Sequence, residues 1–282
     1  MTRSDSPTVS RRIAFARSPR SLALASCALL GALSPAQERP APLEPPAAKE
    51  QAPAPPQDPA AVLEQLKLAM ASREPAIAAD AIARLGRTKD VEVVKLVAKA
   101  LAHKEPIVRK AAIAALRFNE HEKAFDALLH APRERLLADD DVAVDYYLAL
   151  GQKGDPKALP ILTQGLHIGR GSKVVKARVQ AIGRIRTPQA VAELMQFLKS
   201  GKGGGRRGGG HNPHLADIVL SLAVLTGQTF GNDANAWIRW WADHDEGYKL
   251  PAESELGKKQ GRQWQKLWED GSSGRKGRKK DG

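Results

Sequence analysis

The residues best suited to chemistry are two histidines, three aspartates and one cysteine, and each fails a test of spacing. His211 and His214 form His-Asn-Pro-His, but Pro213 breaks the helix that would aim two imidazoles at one metal, and no cysteine is near. A solvated loop is the reading there. Asp139, Asp140 and Asp141 are consecutive, without the alternating ligand spacing of a calcium loop, so they read as an N-cap for the helix that follows. Cys27 is the one cysteine, which excludes an intramolecular disulfide and a cysteine-based zinc cluster. No Gly-x-Ser-x-Gly, phosphate loop or dinucleotide fingerprint occurs, and the glycine-rich stretch 200–212 lacks Gly-Lys-Ser/Thr before a helix. The expectation is a protein that is not an enzyme and holds no metal or organic cofactor.

Charge says more. The chain of 282 residues carries 44 Lys+Arg against 31 Asp+Glu, a formal charge of +13. The excess lies at the N-terminus, in the glycine-rich stretch with Arg206 and Arg207, and in the tail beyond Gly257. The middle is close to neutral. A nucleic-acid groove would need a basic stripe on the folded surface.

The elements that must carry these residues are helical and repeated. Four segments align on three apolar columns: Ile77, Ile82, Leu85; Val108, Ile113, Leu116; Val142, Tyr147, Leu150; Val174, Val179, Ile182. The steps are about 31, 34 and 32 residues, with mostly alanine between the columns, which is the mark of a stacked-repeat array. First helices are expected at 60–72, 91–103, 122–129, 156–167 and 188–199. Gly86, Gly151, Gly183 and Gly227 read as C-terminal caps, and Pro75, Pro106, Pro156, Pro188 and Pro213 as markers of helix starts. Tyr146 and Tyr147 replace alanine in the third pair, so looser packing or a special face is expected there.

The string Glu105-Pro106-Ile107-Val108-Arg109-Lys110-Ala111-Ala112-Ile113-Ala114-Ala115-Leu116, and its echo from Lys173 to Leu194, resemble HEAT repeats, more narrowly those of the phycobilin-lyase HEAT-like type. The resemblance implies an all-α fold, an α-solenoid of about five helix pairs over 60–245, and a role in scaffolding or binding. It implies no chromophore chemistry, because no bilin-site motif is visible. In such solenoids the second helices usually line the inner face, which makes Lys110, Tyr146, Lys176 and Arg184 the residues expected to touch a partner.

Residues 1–36 read as a secretory signal: Arg3, Arg11, Arg12, Arg17 and Arg20, an uncharged run from Ser21 to Leu33, then Ser34-Pro35-Ala36. The run is too short to span a bilayer. Cleavage after Ala36 and export to the periplasm or cell envelope are expected, against a basic disordered arm, a lipoprotein signal at Cys27, or a twin-arginine signal at Arg11-Arg12. Residues 37–59, rich in proline and alanine, read as a disordered tether.

At the other end, Trp237, Trp240 and Trp241 share one face of a helix capped by Asp233, expected to close the open end of the solenoid. This string resembles the ending of HEAT-repeat proteins of planctomycete-like bacteria. Segment 246–282 reads as partly helical, then disordered. Leu256, Trp264, Leu267 and Trp268 share a helical face there, with Lys258, Lys259, Arg262 and Lys266 around the rest. Docking of the two indoles on the solenoid is the favoured reading. The other is contact of Arg206, Arg207, Lys258, Lys259, Arg262, Trp264 and Trp268 with an anionic surface, such as a membrane. The function expected is an exported, monomeric adaptor for an unknown protein or envelope component. The alternative is non-specific nucleic-acid binding through the Gly/Arg loop and the basic tail.

Overall fold

The computed structural model describes residues 58–166, 171–200, 212–252 and 256–270. The expectations for the signal, for most of the tether, for the glycine-rich loop and for the end of the tail fall outside these. Pro59, assigned to the tether, is instead the first residue of a helix whose N-terminus Asp58 caps by accepting from Ala60 N at 3.2 Å.

All regular structure among the described residues is helical. Five pairs follow one another: α1 (Pro59–Met70) with α2 (Pro75–Leu85), α3 (Val91–Ala100) with α4 (Pro106–Phe118), α5 (Glu122–Leu129) with α7 (Asp140–Gln152), α8 (Leu159–Thr163) with α9 (Ser172–Arg184), and α10 (Pro188–Ser200) with α11 (Leu215–Thr226). A single turn, α6 (Arg133–Leu136), is inserted in the third pair. The starts are chemically marked. Asp90 and Asp139 each accept two main-chain N–H bonds of the following turn, at 2.8 to 3.1 Å, while Pro75 and Pro106 begin α2 and α4, where a missing N–H costs little.

The second helices stack in one layer, α2 on α4, α4 on α7, α7 on α9 and α9 on α11, and the first helices line the other side. This is an α-solenoid. Val108, Ile113, Leu116, Val174, Val179 and Ile182 are all buried, as the column alignment requires. Small residues set the spacing of the layer. A Cβ on Gly151 would stand 2.7 Å from the Cα and Cβ of Ala181, and one on Gly183 would stand 2.6 Å from Ser221 Cβ. Neither glycine is a left-handed cap: both lie inside α7 and α9, where they let neighbouring helices touch. Gly86 is right-handed as well, and only Gly227 of the four takes the left-handed turn, at φ 73°.

The tyrosine pair does not loosen the third repeat. Tyr146 is fully buried, and its hydroxyl donates to Leu128 O at 3.1 Å, a carbonyl in the last turn of α5. Tyr147 packs 5.6 Å from it and lies under the Arg178 guanidinium at 5.2 Å. Arg178 is itself buried and donates to Leu162 O and Gln164 O, closing the end of α8.

The two ends of the stack differ. α12 (Ala234–Ala242) packs on α10, with Trp237 fully buried and Trp241 nearly so, and caps the last pair. On the first pair, Leu68 and Ile77 are exposed and line a groove between α1 and α2. A last helix, α13 (Lys258–Trp268), follows α12.

Candidate functional site

The second helices α2, α4, α7 and α9 each end in a buried glycine or a long polar side chain just past the last apolar column. After the third apolar column come Gly86-Arg87, Arg117-Phe118, Gly151-Gln152 and Gly183-Arg184. Because the helices are stacked, these endings form one ledge, and α13 lies on it.

Two indoles anchor α13. Trp264 and Trp268 are 5% and 6% exposed and pack at 5.5 Å in a tilted edge-on arrangement, with Val224 and the partly buried Leu148, Leu220, Leu256 and Leu267 around them. Their rings reach the glycines: a Cβ on Gly183 would come within 2.9 Å of Trp264 Cη2, and one on Gly151 within 3.1 Å of Trp268 Cη2. The same missing methyl groups that let the helices touch thus make room for the indoles.

Polar contacts come from the column beyond. Arg117 Nη2 donates to Leu267 O at 2.6 Å, and its Nε donates to Gln152 Oε1 at 2.9 Å. Gln152 Nε2 in turn donates to Trp268 O at 3.1 Å. These donors satisfy carbonyls at the C-terminus of α13, where four have no partner within the helix. Arg117 and Arg184 also stand over the Trp268 ring at 5.7 and 5.6 Å. At the far end Arg87 Nη1 and Nη2 donate to the two carboxylate oxygens of Asp270, and Arg87 and Arg117 face Phe118, each at 4.9 Å. Burial lowers the Arg117 pKa below its ordinary value, while Asp145 and Asp270 act to raise it. Burial raises Asp145, and Lys110 nearby opposes that.

The residues expected to contact partners are distributed unevenly. Tyr146 has no exposed surface, so its ring belongs to the core. Lys110 on α4 pairs with Asp145 at 3.5 Å, and Lys176 on α9 pairs with Asp217 at 3.3 Å; both lysines remain about half exposed. Arg184 is exposed over Trp268. Trp264 and Trp268, expected either to dock or to meet an anionic surface, are docked. Lys258 and Arg262 are exposed on α13. Arg206, Arg207 and the Lys259 side chain lie outside the described residues. His214, expected in a solvated loop, is instead buried beside Phe197, with ring centroids 6.2 Å apart, and burial lowers its pKa. Among the described residues no group of three or more His, Cys, Asp or Glu is placed to hold a metal ion, and no helix is long and apolar enough to cross a membrane.

Sequence reasoning missed Arg87, Arg117 and Gln152. The signal was present one or two places past the last apolar column, where long donors stand among glycines that read as C-terminal caps.

No curated protein matches the chain. Residues 63–135, from α1 through most of α6, match the family model of HEAT repeats. That match and the stacked helix pairs together support a HEAT-repeat protein.

Proposed function

We propose that the protein is a non-enzymatic, exported scaffold that binds a protein or envelope component on its layer of second helices. HEAT repeats suggest a protein-interaction scaffold. The observation that carries the proposal is the ledge: in this chain the layer already holds a helix, through indole sockets, main-chain carbonyls and an ion pair. These are the contacts of a helix-in-groove interface. Export rests on the arginine-rich start followed by an uncharged run and a small-residue site. A phosphate-reading surface is disfavoured on this face, where Lys110 and Lys176 are each matched by an aspartate.

Two measurements test the parts separately. N-terminal sequencing of the protein from fractionated cells checks export, and a cytoplasmic chain beginning at Met1 would refute it. For the scaffold, the full chain with Lys110→Ala, Lys176→Ala and Arg184→Ala is compared with the parent by cross-linking and co-purification. Loss of a specific partner supports the face. An unchanged set of partners moves the binding elsewhere.

A further inference from the structure

We propose that the ledge is an exchangeable helix-binding site, and that α13 is its built-in occupant. The partner it takes is a helix with two aromatic side chains one turn apart and a carboxylate two residues beyond the second. The proposal rests on the scaffold reading above and names the partner class for that face.

The receptor side belongs to the stacked second helices of the solenoid. Arg87, Arg117, Gln152 and the two glycine sockets come from three repeats and the turn after α2, and their positions are set by the packing of the second helices. The ligand requirements follow from spacing on α13. Trp264 and Trp268 are four residues apart and enter neighbouring sockets, and Asp270 meets Arg87 where two guanidiniums flank Phe118. A carboxylate is the chemistry that suits this end of the ledge.

The ligand side is loosely made. The N-cap of α13 is Gly257, which makes no side-chain cap bond, and the first turn carries no acidic residue. Gly261 sits within the helix, and eleven residues are too few to hold a helix in water without docking. The buried indoles form a cluster of their own with Val224, apart from the main core. Trp268 Nε1 is buried with no acceptor, so the fit is incomplete. A segment held this way detaches without unfolding the repeats, and a better-formed helix of the same pattern displaces it.

The test uses the full chain and a fluorescein-labelled peptide of residues 256–270 as probe. In the parent the probe competes with α13. In the full chain with Trp264→Ala and Trp268→Ala the sockets stand open, and the peptide is expected to bind at least tenfold more tightly. Adding Arg87→Glu should weaken that binding several-fold, through loss of the pair and repulsion of Asp270, and a peptide with Asp270→Lys should restore binding to the Arg87→Glu chain. Asp270→Lys alone in the full chain provides a second route, since it frees one end of α13 and leaves both indoles in place. Equal, weak binding to parent and opened chains overturns the proposal, as does binding indifferent to Arg87→Glu. A parent dimer that dissociates when both tryptophans are replaced assigns the ledge to a second copy and overturns the partner class. Loss of partners in the Lys110, Lys176 and Arg184 variant with no peptide binding leaves the scaffold standing and removes this inference alone.

Discussion

α12 and α13 are short helices that both present tryptophans to the solenoid, yet they are attached in different ways. In α12, Asp233 caps the first turn, accepting from Asn235 N and Ala236 N at 2.9 and 3.0 Å. Trp237 Nε1 donates to Gly231 O at 3.0 Å, and its ring stands 5.0 Å from Phe230 and 6.0 Å from Trp240. Trp237 and Trp241 belong to the main core. In α13 the cap is missing, one indole N–H is orphaned, and the buried cluster is separate. Burial of an indole therefore does not by itself distinguish a structural cap from a detachable strap. The two helices differ in how far the polar groups around the indoles are satisfied: Trp237 Nε1 donates to Gly231 O, and Trp268 Nε1 has no acceptor.

The strongest way to break this comparison is Trp237→Ala. The residue is fully buried at the junction of Phe230, Trp240 and the last pair, so removal should cost about 3–5 kcal/mol. A thermal melt followed by far-ultraviolet circular dichroism should show the whole transition move down. If the main transition stays in place, α12 is no part of the cooperative unit.

Gly183→Ala comes next, because it strikes both regions at once. The new Cβ would meet Ser221 Cβ at 2.6 Å and Trp264 Cη2 at 2.9 Å. Helix propensity favours alanine, but overpacking costs about 1–3 kcal/mol and should prevail. The melt should fall, and tryptophan fluorescence should report a more solvated Trp264. A stabilised protein would mean that α9 and α11 can part cheaply.

The fold was legible because its cause is local and repeated. Val108, Ile113 and Leu116 recur as Val174, Val179 and Ile182, and a column that must be apolar in every copy shows in a single chain. The ledge was less legible because its parts lie in different repeats and differ in kind. Gly151 and Gly183 have a cap's position at the end of an apolar segment, and nothing in their own neighbourhood says that Ala181 or Ser221 will press against them. Tyr146 looked like a contact residue because it lies on a second helix, at a place where α2 and α4 carry Ala81 and Ala112. Its hydroxyl instead finds the Leu128 carbonyl, which sequence spacing alone does not disclose.

A third change sharpens the contrast by strengthening the weaker helix. At Gly261 an added Cβ would find only Leu256, at 3.8 Å from Cβ and 3.9 Å from the carbonyl oxygen, which is ordinary contact. Gly261→Ala should therefore stabilise docked α13 by about 0.8–1 kcal/mol through backbone propensity. Hydrogen exchange of the α13 amides should slow several-fold while exchange in α7 and α9 stays as it was. Equal slowing throughout would mean that α13 opens only when the solenoid unfolds, and the strap would then be another cap.

The smallest effect should come from the ion pair at the end of the strap. Arg87 and Asp270 retain 32% and 28% of their side-chain exposure, so solvent and salt screen the pair, and such contacts contribute about 0–1 kcal/mol. Asp270→Asn removes the charge but keeps a carbonyl that can accept from Arg87. The main melt should barely move. The response to salt is the informative readout: between low and high sodium chloride, the parent should lose part of its Trp264 and Trp268 burial, seen as a red shift in fluorescence, while the Asp270→Asn chain starts shifted and changes little. Fluorescence from the α12 indoles confuses this signal, so the comparison is made in a Trp240→Phe background, which removes the partly exposed member of that group and leaves Trp237 and Trp241 buried. If salt moves parent and variant alike, the charge pair is incidental, and the indole sockets alone hold α13.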